Sequence, residues 1–202
     1  MDELILVDKA QQGDLAAFNQ LVVAYQELAY NVAYRILADG AAADDAAQTA
    51  FISAYRKLDT FQGGSFRAWL MRIVTNACYD EIRKLKRRPV SPLEPMDPES
   101  GEEFDSARWL ADENASPEEV VEMAELDNAV QHCLEGLPEE FRVVAVMVDV
   151  EGMDYQEVSA IIGTPLGTIK SRLSRARQRM QLCLQNFQEL LPLKFRFKSE
   201  AW

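Results

Sequence analysis

Between Leu166 and Arg179 the chain carries Lys170, Arg172, Arg175, Arg177 and Arg179, with Ser171 and Ser174 among them and no acidic residue. Guanidinium and ammonium groups pair with guanine O6 and N7 and with phosphate oxygens, so such a face suits duplex DNA. Spacing decides whether these side chains act together. Ile169, Leu173, Ala176 and Met180 recur at intervals of four, three and four, which predicts a helix with an apolar stripe inward and its bases outward. A charge run of this kind is ordinarily a solvated helix face. Here a short helix precedes it, with Asp154 as its cap and Val158, Ile161 and Ile162 inward, and Gly163 stands where a tight turn needs a backbone without Cβ. Thr164-Pro165 opens the basic helix. Together these signals describe a helix-turn-helix over Tyr155 to Arg179. The stretch from Gly163 to Ser171 does not meet the spacing of a phosphate loop.

A second constellation sits earlier. Phe61, Phe66 and Trp69 are interleaved with Arg67, Arg72, Arg83 and Lys84. Rings can hold unstacked bases while cations follow the phosphates, the pattern expected for single-stranded DNA. Each of these residues taken alone reads more readily as core or solvated surface, and Trp69 in particular is more often core than base platform. Asp44-Asp45 is the one carboxylate pair in a folded block that could suggest nucleic-acid chemistry, and adjacent helical residues do not face one another. No catalytic constellation results, and no enzyme is expected.

These surfaces need helices to hold them. Asp14 can cap a helix with Phe18, Leu21, Val22, Tyr25, Leu28, Val32 and Ile36 at helical spacing, interrupted at Gly40. A second helix, from about Ala42 to Leu58, buries Ala47, Phe51, Ala54 and Leu58. A Gly63-Gly64 turn and a capping Ser65 introduce a third, with Trp69, Leu70, Ile73, Val74, Ala77 and Ile82 inward, that stops at Pro89. Ser116-Pro117-Glu118-Glu119 reads as a capped helix start. Helices then continue through Leu134 and from Glu139 to about Val150. The expected fold is all-α: two small helical domains, 1–88 and 116–185, joined by a flexible acidic linker at 89–115, with a tail at 186–202.

Charge supports that division. The chain carries a net −12, split as zero over 1–88, −11 over 89–126 and −1 over 127–202. The proline-rich, acidic middle reads as a tether, and the two helical blocks are neutral. No apolar run approaches the roughly 20 residues of a membrane span, and the N-terminus lacks a secretory pattern, so a cytoplasmic protein is expected. Cys78, Cys133 and Cys183 lie far apart without a C-x-x-C pair, and His132 is the single histidine. No metal or cofactor is expected, no disulfide framework is supported, and each thiol reads as a small buried hydrophobe.

The motifs resemble a family. Gly13-Asp14-x-x-Ala17-Phe18, Asp45-x-x-Gln48-x-x-Phe51, Phe61-x-Gly63, Trp69-Leu70-x-Arg72-Ile73-x-x-Asn76, Leu137-Pro138-x-x-Phe141-Arg142, Tyr155-x-Glu157-Val158 and the run from Gly163 to Arg177 are similar to bacterial RNA polymerase sigma factors of the extracytoplasmic-function type. The resemblance runs from about residue 4 to 182. It implies that 1–88 is sigma region 2 and 116–185 is sigma region 4, and that the chain initiates transcription in a stress response. Asp45, Gln48 and Phe51 would then dock on core RNA polymerase. Phe61, Arg67, Trp69, Arg72 and Asn76 would meet the −10 element, where a flipped base must be held to offset its unstacking. Thr168, Lys170, Ser171, Arg172, Ser174, Arg175 and Arg177 would read the −35 element, with Arg172 and Arg177 on phosphates. The acidic linker would follow the RNA path.

The sequence departs from the pattern at several places. Thr49 replaces an acidic residue, the loop from Phe61 to Trp69 is one residue shorter than in many members, Ser159 and Thr164 replace an alanine and an aliphatic residue, and Ser174 replaces a bulkier side chain. Further partners implied are promoter DNA and an anti-sigma factor, with the free chain a monomer and without a membrane span. The alternative is a stand-alone helix-turn-helix regulator, which would leave core polymerase silent at a promoter.

Overall fold

Residues 3–87 and 116–191 are described by a computed structural model; the linker at 89–115 and the alternating apolar and basic segment after Leu191 lie outside them. Every regular element among the described residues is helical. The first four helices are α1 (Glu3–Gln11), α2 (Leu15–Leu37), α3 (Gly40–Lys57) and α4 (Phe66–Arg87). The second group is α5 (Pro117–Glu135), α6 (Glu139–Ala145) with a π-helical continuation over Val146–Val150, α7 (Tyr155–Ile162) and α8 (Leu166–Leu184).

Local chemistry accounts for most boundaries. The Asp14 carboxylate accepts from the Ala16 and Ala17 amides and caps α2. Gly63 and Gly64 both take φ near +90°, open to glycine and strained for other residues, and the Ser65 hydroxyl accepts from the Ala68 amide to start α4. One boundary differs from the sequence expectation. The break after α2 is not at Gly40, which is the first residue of α3. It falls at Ala38, whose left-handed φ of 58° lets its N–H bond the Tyr34 carbonyl, and Asp39 then caps α3 through the Ala42 amide. An aspartate cap one residue later outweighs the usual glycine signal.

α1 was not foreseen from the sequence. It lays Val7 and Ala10 into the core, and Gln11 donates to the carbonyls of Leu58 and Phe61, each at 2.9 Å. α3 buries only alanines: Ala43, Ala46, Ala47, Ala50 and Ala54. Phe51, expected inward, is half-buried. On α4 the buried face is Phe66, Leu70, Met71, Val74, Thr75 and Cys78. Trp69, Ile73, Ala77 and Ile82 are only partly covered, and Thr75 on the fully buried face meets Met147 of the second helical group.

The two groups share one core. Buried residues run without a break from Val7 and Leu21 through Val74 and Cys78 to Val143, Met147, Val158 and Ile169. At the seam, Arg35 of α2 is paired with Asp127 of α5, their side chains only 6% and 8% exposed, and also donates to the Gln131 side-chain Oε1 at 3.3 Å. Charges this deeply buried require partners in place. The Arg142 guanidinium donates to the Ile36 carbonyl at 2.8 Å, the Glu135 carbonyl at 2.9 Å and the Leu137 carbonyl at 3.2 Å. It thereby satisfies orphan carbonyls at the ends of α2 and α5, one from each group.

The cysteine expectation requires correction. Cys133 of α5 and Cys183 of α8 form a disulfide across 50 residues, while Cys78 alone is free and buried. The pairing is a tertiary event between distant helices, with no local spacing to announce it. Burial pushes the Cys78 thiol up to about 12, so it stays protonated at neutral pH.

Candidate nucleic-acid interface

α7 and α8 form the predicted helix-turn-helix. Asp154 accepts from the Gln156 and Glu157 amides, and the Glu157 carboxylate returns to the Asp154 amide at 3.3 Å, completing a capping box. Gly163 takes φ 68° and ends α7. The Ser159 hydroxyl donates to the Thr164 carbonyl at 2.6 Å. The two unusual residues of the motif thus fasten its turn. Ile169, Leu173 and Ala176 anchor α8.

Around that anchor, Lys170, Ser171, Ser174, Arg175 and Arg177 are exposed. Thr168 is half-buried, and its carbonyl accepts from the Ser171 hydroxyl at 2.9 Å. Two of the predicted phosphate contacts are occupied within the chain. Arg172 pairs with Glu140 at 2.6 Å. Arg177 holds both carboxylate oxygens of Asp149, at 2.6 and 3.1 Å, which raises its already high proton affinity. Arg179, on the edge of the same helix, lies over the Phe141 ring at 5.6 Å. A shallow cleft between α7 and α8, lined by Tyr155, Lys170, Leu173, Ser174, Arg177 and Gln178, completes the face.

The predicted single-strand surface is differently arranged. Phe61, Phe66 and Trp69 form one aromatic cluster with centroids 5.5–5.8 Å apart, and Tyr25 joins Phe66 at 5.6 Å. Phe61 is only 8% exposed, Phe66 is buried and Trp69 is half-buried. In this conformation Phe61 serves the core and offers no free ring face to a base. Arg67 is also engaged: it donates to the Glu151 carbonyl at 2.9 Å and pairs with its carboxylate at 3.3 Å. Burial raises the Glu151 carboxyl above its usual range, and Arg67 opposes that shift. Arg72 and Asn76 are exposed one turn apart and share a face.

On α3, Asp45 and Gln48 are exposed and Phe51 is half-buried beside them. Sequence reasoning missed two neighbours. Ile52 and Tyr55, 47% and 43% exposed, extend the stripe of Asp45 and Gln48 at helical spacing. That three-four periodicity was available in the sequence and was masked by the alanine face behind it.

Comparison with known proteins agrees with this arrangement. Residues 21–88 match the model of Sigma-70 region 2, and residues 127–180 match that of Sigma-70, region 4. Over 179 residues the chain is 37% identical to the ECF RNA polymerase sigma-E factor of Escherichia coli, spanning 88% of this chain and 92% of that one. The chain belongs to the extracytoplasmic-function sigma factors. The RNA polymerase sigma-H factor of Pseudomonas aeruginosa is 35% identical over 181 residues, covering 89% of this sigma factor and 92% of its own length. Among solved structures, the sigma factor RpoE in complex with the anti-sigma factor NepR from Bartonella quintana aligns at TM-score 0.61 with 25% identity, over 83% of this chain and 96% of that one. CnrH in complex with the cytosolic domain of CnrY aligns at TM-score 0.61 with 26% identity, over 90% and 96%.

The region 2 match begins within α2 and ends with α4, and the region 4 match runs from the middle of α5 to within α8. α1, Cys183 and the turns leading to buried Leu191 lie outside both matches. This sigma factor is a transcription initiation protein of a family of DNA-binding regulators. Among its described residues, no helix is long and apolar enough to cross a membrane.

Proposed function

We propose that the chain loads onto core RNA polymerase in the cytoplasm and directs it to promoters by reading the −35 and −10 elements with separate halves. The observation that carries this reading is the basic outer face of α8, set on a fully anchored helix-turn-helix in a chain of this family. Lys170, Ser171, Ser174 and Arg175 reach base edges, while Thr168, Arg172 and Arg177 hold the backbone. Arg172 and Arg177 then exchange Glu140 and Asp149 for phosphate. Residues 116–185 act as the −35 half, 1–88 as the −10 half, and 89–115 as the connector. The tail at 186–202 has no assigned role.

Arg72 and Asn76 approach the melted −10 strand from α4. Arg67 joins them once Glu151 is withdrawn, and Phe61 and Trp69 join once their ring cluster with Phe66 opens. Asp45, Gln48, Phe51, Ile52 and Tyr55 dock on the polymerase, the apolar pair adding contact area to the polar one. In the free monomer the Arg35–Asp127 seam keeps the halves together, and loading on the polymerase separates them. An anti-sigma factor that favours the closed form fits this scheme; the similar RpoE of Bartonella quintana is solved in complex with the anti-sigma factor NepR. With a net charge of −12, the free chain binds duplex DNA weakly.

Transcription in vitro tests the proposal. Core polymerase plus the chain should start RNA at a discrete site on DNA carrying its own promoter, and core alone should not. A silent mixture, with tight binding of the free chain to the same duplex at physiological salt, would favour a stand-alone regulator.

A further inference from the structure

α8 has nineteen residues, yet its buried anchors, Ile169, Leu173 and Ala176, all lie in its first eleven. Beyond Ala176 the apolar hold thins. Met180 is half-buried and Leu182 is 65% exposed. What fastens this end is α5: Cys133 bonds Cys183, and the His132 ring meets Phe187 edge-on at 5.8 Å. α5 also presents Asp127 and Gln131 to Arg35, so the same helix holds the end of α8 and the seam.

We propose that Cys133 and Cys183 form a reversible thiol–disulfide pair that sets how firmly α8 is held on region 4, making the −35-reading half, and not region 2, sensitive to redox state. The functional part rests on the reading of α8 as the −35 helix. Inside a reducing cell interior a disulfide is transient and redox-sensing rather than a permanent staple. The anchors at Ile169, Leu173 and Ala176 are independent of the bond, so the reduced fold survives with a looser end. Cys183 is the less covered sulfur, since Cys133 is buried. A thiolate of a dithiol reductant attacks Cys183 Sγ; the S–S bond breaks and Cys133 leaves as thiolate and takes up a proton. The second thiol of the reductant then displaces Cys183, which is protonated in turn. The pair gains two electrons and two protons, and the reductant becomes a disulfide. A disulfide oxidant runs the exchange backwards.

Hydrogen exchange on the full chain, oxidised with glutathione disulfide and then reduced with dithiothreitol, reads the clamp without DNA. Reduction should speed exchange of amides from about residue 178 to 190 by about tenfold or more, leaving α2 to α4 within about twofold. Cys183→Ala should exchange fast in both conditions, and Cys78→Ala should keep the full response. Promoter-directed transcription at elevated temperature should fall severalfold on reduction for the native chain and stay low for Cys183→Ala. Three alkylatable thiols after oxidation, or exchange unmoved by reduction, would overturn the clamp. Equal transcription in both states beside a clear exchange difference would overturn its control of promoter reading. Inactivity in both states beside that difference would count instead against α8 as the −35 reader.

Discussion

The two surfaces proposed to meet DNA are built to different degrees of readiness. α8 presents Lys170, Ser171, Ser174 and Arg175 outward from an anchor that is already buried. The α4 surface is half closed: its aromatic rings pack on one another and Arg67 is held by Glu151 from the other half of the chain. A surface that meets an ordinary duplex needs only to be displayed. A surface that meets melted DNA needs rings that are free, and exposed rings in a free protein are an aggregation hazard. Packing the rings on one another, with Arg67 occupied by Glu151, keeps this surface covered in the closed chain.

Leu173→Ala should break the comparison most completely. Emptying this site in the region 4 core costs about 3–5 kcal/mol, so α8 should lose its −35 duplex binding and exchange protection, while α2 to α4 stay protected. Equal loss in both halves would mean the shared core unfolds as one block. Asp127→Ala comes next. It leaves Arg35 unpaired in the seam, at a cost of about 3–5 kcal/mol if the chain stays closed. Opening hydrates the guanidinium, so small-angle scattering should record a larger radius, and single-stranded −10 DNA should bind more tightly. An unchanged radius would place the lock elsewhere.

Arg175→Ala against Arg72→Ala sharpens the division of labour. The first should weaken binding to −35 duplex by about tenfold, within the 1–3 kcal/mol of one base contact, and spare single-stranded −10 DNA. The second should do the reverse. Overlapping effects would merge the two surfaces into one. The smallest effect is that of pH. Burial holds the Glu151 carboxyl above its usual range in the closed form, whereas in the open form it is hydrated. Closure therefore takes up proton. It should be favoured below the ordinary glutamate value and weaken as pH rises through the raised one. Fluorescence transfer between dyes on the two halves should report this, and Glu151→Gln should flatten the profile.

How much of this could be read from the residues depends on the range of the interactions involved. The helix-turn-helix was legible because its determinants are local: Asp154 with Glu157, Gly163, and the stripe of Ile169, Leu173 and Ala176 all lie within a few residues of one another. The same holds for Asp14 and for Gly63-Gly64 before α4. The seam was not legible. Arg35 reads as the one basic residue of α2, and its meaning comes from Asp127, 92 residues away. Arg142 was visible as part of a motif, yet its work on Ile36 and Glu135 depends on the docked halves. Phe61 and Arg67 were singled out by type, but only tertiary structure reveals that both are engaged in the closed chain. The Cys133–Cys183 bond is likewise a product of helix placement.

The alanine face of α3 has a consequence for sequence drift. Because Ala43, Ala46, Ala47, Ala50 and Ala54 let α3 lie close on its neighbours, almost any larger residue there overfills the interface, at about 1–3 kcal/mol each. The opposite stripe of Asp45, Gln48, Ile52 and Tyr55 carries no such limit of size. One helix thus couples an inner face that mutation can scarcely touch to an outer face that can be rewritten residue by residue. A surface mounted this way can change over generations without the fold being renegotiated.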